Sequence, residues 1–67
     1  MDRHVAERLI EDIKVLAEGF NRLSQTSMSI GDEDERRAFR KALGECMADV
    51  LKKLERPVVV QFPDLET

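Results

Sequence analysis

The chain has 67 residues, of which 42% are hydrophobic and 37% charged, with a formal net charge of −3 at pH 7, one cysteine and one histidine. That length allows one domain at most, and a core of this size supplies only about 3–5 kcal/mol without some additional staple. A single cysteine makes no internal disulfide, a single histidine disfavours a structural zinc site, and the acidic balance excludes a general attraction to polyanions.

The first predicted element is a helix over about residues 3–23. Ala6, Leu9, Ile13, Leu16, Phe20 and Leu23 recur at alternating steps of three and four, the period of a helix that buries one face. Asp2 stands where it would cap the first amides. Val5, Ile10 and Ala17 widen the stripe, which suits a bundle core better than a two-stranded coiled coil. Arg3 with Glu7, Arg8 with Asp12 and Lys14 with Glu18 are spaced for surface pairs worth a few tenths of a kcal/mol each. Gly19 costs about 1 kcal/mol relative to alanine inside a helix. It marks either local flexibility near the helix end or the close approach of another helix.

Residues 24–31 are expected to form the loop. Ser24, Thr26, Ser27 and Ser29 carry hydroxyls that compete for backbone hydrogen bonds. Met28 and Ile30 are the apolar exceptions and are expected to fold over the end of the bundle. A linker of this length lets the flanking helices lie antiparallel as neighbours.

The second helix is placed at about residues 33–56. Asp32 is its expected cap, with Glu35 three residues on in a variant of the capping box. Residues 32–35 put acid at its positive end, and Lys52, Lys53 and Arg56 put base at its negative end. Phe39, Leu43, Met47, Val50 and Leu54 form its apolar stripe, and Pro57 should stop or kink it near Arg56.

The tail, residues 57–67, is rich in β-branched residues at Val58, Val59 and Val60. Leu54, Val58, Phe62 and Leu65 nonetheless continue a helical spacing. An ordered, largely extended tail packed on the bundle is the favoured expectation, with a kinked helical continuation as the alternative. An extended tail could also add as a strand to a partner's sheet edge, which makes Val58, Val60 and Phe62 candidate contact residues.

Candidate chemistry is sparse. Cys46 lies beside the apolar stripe with no histidine near it in sequence, so it is read as a small core side chain and not as a thiolate nucleophile. His4, Glu7 and Glu11 share a helical face, yet the second helix supplies no histidine to complete a carboxylate-bridged site. Arg36, Arg37, Arg40 and Lys41 form the dense basic cluster and could face phosphate. Asp32, Glu33 and Glu45 stand four residues from Arg36, Arg37 and Lys41, which favours internal pairing. Tryptophan and tyrosine are absent, which disfavours base stacking. No phosphate loop, nucleophile elbow or paired-cysteine motif is present.

These observations predict an all-α, single-domain antiparallel helical hairpin that dimerises into a four-helix bundle, with Leu16, Phe20, Phe39, Leu43 and Met47 near its centre. A core too small to stand alone makes a second copy the first expected partner. The expected role is a non-catalytic, cofactor-free and metal-free protein-interaction module; a nucleic-acid-binding bundle using the Arg36/Arg37/Arg40/Lys41 face is the alternative. The charged first residues and the absence of any apolar run longer than three predict a cytoplasmic location without a membrane span. Truncation after Arg56 is expected to remove a partner contact and leave the helices folded.

Overall fold

The computed structural model describes residues 1–66 and is an antiparallel helical hairpin, a rod of 46 × 16 × 15 Å. Helix α1 spans Arg3–Ser27 and α2 spans Glu33–Val50. A five-residue π-helical turn, Leu51–Glu55, carries the chain into a short helix α3, Arg56–Gln61, and a 3-10 turn, Pro63–Leu65, follows. Thr67, the last residue of the expected tail, lies outside the described residues.

Both helix starts follow from their caps. The Asp2 carboxylate accepts from the His4 amide at 2.8 Å, and the Asp32 carboxylate accepts from the Glu35 amide at 3.2 Å. Each bond satisfies a donor that has no partner within its own helix.

The end of α1 departs from expectation: the helix absorbs residues 24–27, and the connection shrinks to residues 28–32. The Ser27 hydroxyl is satisfied within the helix. Ser27 Oγ donates to the Ser24 carbonyl at 2.6 Å, and Ser27 is almost fully buried. Met28, Ser29 and Ile30 then donate to Gln25, Thr26 and Ser27, tightening the exit into a run of i→i−3 bonds. Ile30 is half-buried, whereas Met28, also expected to fold over the end of the bundle, is exposed.

The tail expectation is corrected. Residues 56–61 are helical, not extended, and the helical alternative describes them. Pro57 has no amide hydrogen, and in an unbroken α-helix its ring would press on the Lys53 carbonyl. The π turn just before it relieves that conflict, with the Arg56 amide donating to the Leu51 carbonyl five residues back. The extra residue per turn also rotates everything that follows. The inward positions run Leu43, Val50, Glu55, Val58 and Phe62, so the step from Val50 is five residues. Glu55 is consequently half-buried, and Leu54, expected on the apolar stripe, is 51% exposed.

The best-packed part of the molecule is where α3 crosses the first half of α1. Ala6, Ile10 and Val58 are buried, and Ile13, Val59, Phe62 and Leu65 pack around them. Arg3 fastens this end from outside. Its guanidinium pairs with both Asp64 carboxylate oxygens, bonds Glu7 at 3.1 Å, and lies 5.7 Å from the centre of the Phe62 ring. Toward the loop, Leu43 of α2 and Ser27 at the end of α1 are the buried residues. The tail is therefore ordered and packed on its own helices, as the sequence suggested, but by a helical route.

Candidate self-association surface

Between the packed end and the loop, the apolar seam is left half open. Leu9, Leu16, Leu23, Phe39 and Met47 remain between 36% and 45% exposed. Of the five residues expected near the bundle centre, Leu43 is buried, Phe20 is half-buried, and Leu16, Phe39 and Met47 face solvent in the single hairpin. The geometry of a helix explains this division. On α1 one row at seven-residue spacing, Ala6, Ile13 and Phe20, turns toward the rest of the chain. The neighbouring row, Leu9, Leu16 and Leu23, falls outside the reach of α2.

Each side of the seam forms a groove, and the two differ in character. Leu9, Asp12, Ile13 and Leu16 line one groove together with Lys53, Leu54 and Pro57. On α2, Phe39 and Cys46 lie across the inward row of Leu43 and Val50 from Met47, which lines the opposite groove, and so fall on this side. We refer to this side as the leucine face. The opposite groove is lined by Ala17, Phe20, Met47 and Leu51, with Lys14 and Glu55 at its edge. On that side the outer row of α1 is Glu7, Lys14 and Asn21. Each groove carries one acid and one base, Asp12 with Lys53 on the first side and Glu55 with Lys14 on the other, and the sides differ in that the first adds a full row of exposed leucines.

Cys46 is exposed, which corrects its reading as core filler. It belongs to the outer row of α2, one position before Met47, and not to the inward row that holds Leu43 and Val50.

The basic cluster is largely spent inside the hairpin. Arg40 Nη1 donates to the Ser24 carbonyl and to Ser27 Oγ, each at 3.0 Å. Arg36 Nη1 donates to the Ile30 carbonyl at 3.0 Å. Helix α1 has no basic residue in its own last turn, so these two guanidinium groups of α2 supply the positive charge that the negative end of its dipole favours. Arg37 pairs with Glu33 at 3.0 Å on the outside, and Lys41 is exposed. The sequence grouped four cations on one face; the fold assigns two of them to holding the loop end.

The tail residues singled out as contacts separate likewise. Val58 is 3% exposed and is part of the core, Phe62 is half-buried beneath Arg3, and Val60 is exposed. A strand formed by residues 58–62 is replaced by helix, so addition to a sheet edge does not describe this segment. His4, Glu7 and Glu11 stay on the surface of α1, where Glu7 is engaged by Arg3. Among the described residues no three His, Cys, Asp or Glu side chains converge. None of the described helices is long and apolar enough to cross a membrane.

The electrostatics of the site end are modest. The hydrogen bond from Arg3, followed by its charge, holds the Asp64 carboxyl below the usual carboxylate range, and Asp64 in turn raises Arg3. Comparison with protein-family models, curated proteins and solved structures finds no match for this chain.

Proposed function

We propose that the chain is a small, non-catalytic protein-interaction module of the cytoplasm that works as a homodimer, two hairpins pairing their open seams into a four-helix bundle. The observation that carries this reading is surface area. The hairpin exposes 5330 Å², whereas a compact monomer of 7.7 kDa is expected to expose about 4300 Å². The excess of roughly 1000 Å² per chain is comparable to the ~800 Å² that each partner buries in a standard interface. Exposed leucines and a phenylalanine in rows at helical spacing are the chemistry that bundle formation would cover.

A dimer of hairpins presents charged outer helices in duplicate, and binding of another protein to that outer surface is the role assigned to it here. Nucleic acid is the weaker reading, because Arg36 and Arg40 are engaged with α1 carbonyls and Arg37 with Glu33. Native mass spectrometry on the protein gently recovered from its own cells tests the module. The expected species contain two copies of the chain, alone or with an added protein. Complexes that contain a single copy would overturn the homodimeric reading, and co-recovery of nucleic acid would favour the basic face.

A further inference from the structure

We infer that the second copy docks on the leucine face, the side carrying Leu9, Leu16 and Leu23 with Phe39 and Cys46, and leaves the opposite groove on the outside of the dimer. This rests on the homodimeric reading above and assigns it a surface. The two sides of the seam compete for the same partner, and the amount of exposed apolar surface decides between them. On the leucine face, burial removes three leucines and a phenylalanine from water. On the opposite side the groove offers only Met47 and Leu51 as exposed large apolar residues. Each side also carries one acid and one base, Asp12 with Lys53 and Glu55 with Lys14, so the cost of covering charge does not separate them.

Size points the same way. From Leu9 to Leu23 the exposed row runs about 21 Å along α1 at ~1.5 Å per residue, close to half the 46 Å length of the rod. A surface that meets its own copy across a two-fold axis must be self-complementary. Paired apolar rows meet that condition, with one acid and one base, Asp12 and Lys53, beside them. The π turn contributes to the face as well: by shifting the chain one residue it turns Leu54 outward into the same groove as Leu9 and Leu16.

Cys46 makes the inference testable on the unaltered protein, because the thiol is exposed in the single hairpin and lies on the row that docking covers. The rate of maleimide labelling of Cys46 is measured across a concentration series in which the mass is followed in parallel. Docking on the leucine face slows labelling by the ratio of total chain to free monomer as the dimer fills. Leu16→Lys gives loss of the dimer with the helical spectrum retained, and Leu51→Lys, on the rim of the opposite groove, leaves the dimer intact. Labelling that stays constant while a dimer forms, or a dimer lost in Leu51→Lys and kept in Leu16→Lys, overturns the choice of face and leaves the homodimer standing. A chain that stays monomeric throughout overturns the homodimer itself.

Discussion

Arg40 reaches across the hairpin to Ser27, donating to its hydroxyl at 3.0 Å while the same guanidinium nitrogen donates to the Ser24 carbonyl. Ser27 passes its own proton to that carbonyl, so one arginine of α2 closes the last turn of α1. The bond explains why a run of hydroxyl residues ends as helix and why the basic cluster is not a free electrostatic surface.

Removing that arginine tests the assignment. Arg40→Ala is expected to destabilise the protein by about 1–2 kcal/mol, since it deletes charge-assisted hydrogen bonds to a buried hydroxyl and a helix-end carbonyl. Arg37→Ala, which breaks only an exposed i,i+4 pair, is expected to cost less than about 0.5 kcal/mol. Urea unfolding of the two variants gives the comparison, and equal losses would remove the special role of Arg40.

Truncation after Arg56 carries an expectation opposite to the one drawn from the sequence. It deletes Val58, Phe62 and Leu65, which pack on Ala6, Ile10 and Ile13. Ile10→Ala alone is expected to cost about 2–5 kcal/mol, as much as a chain of this size has to lose. The truncated protein should therefore lose cooperative thermal unfolding by circular dichroism. A sharp transition in the truncated chain would show that α3 is dispensable to the core.

The clasp between Arg3 and Asp64 gives a pH dependence with a defined sign. The Asp64 carboxyl is lowered in the folded state, so its contribution is present above the unfolded aspartate value, about 3.9, and is lost as pH falls through the lower folded value. Asp64→Asn removes this contribution at neutral pH, and its stability difference from the wild type should shrink toward zero on acidification from pH 6 to pH 2. A difference independent of pH would assign Asp64 a role other than its charge.

Two helical glycines are open to improvement. A Cβ built at Gly19 or at Gly44 meets nothing within 4 Å, so no close approach within the hairpin requires either. Gly44→Ala, on the outside of α2, should raise stability by about 0.5–1 kcal/mol. Gly19→Ala should do the same in the isolated hairpin. A thermal melt that falls for Gly44→Ala would mean that its environment differs from open solvent.

Much of the architecture was legible before any coordinates. The alternating steps from Ala6 to Leu23, the caps Asp2 and Asp32, and the stripe from Phe39 to Val50 each specify helix through local chemistry, and the hairpin follows from the short connection. Three features depend on tertiary context and were not legible. Residues 24–27 are helical where Ser27 is buried, donates to the Ser24 carbonyl and accepts from Arg40 across the hairpin. The valines of residues 58–60, read from β-propensity as extended, are helical because Val58 has Ala6 and Ile10 to pack against, which outweighs propensity. The phase change at Leu51–Glu55 rests on how Pro57 is accommodated, and a spacing count that steps evenly from Val50 to Leu54 passes over it. The leucine face did have a signal, the seven-residue recurrence of Leu9, Leu16 and Leu23 beside Ala6, Ile13 and Phe20, but which row faces inward is decided by where α2 lies.

The central claim is that this hairpin works as a pair. Sedimentation equilibrium over a dilution series in low and moderate salt measures it without mutation or label. Association through apolar rows predicts a mass near twice 7.7 kDa at high concentration, falling toward a single chain on dilution, with little response to salt. A mass of one chain across the whole series would contradict the account.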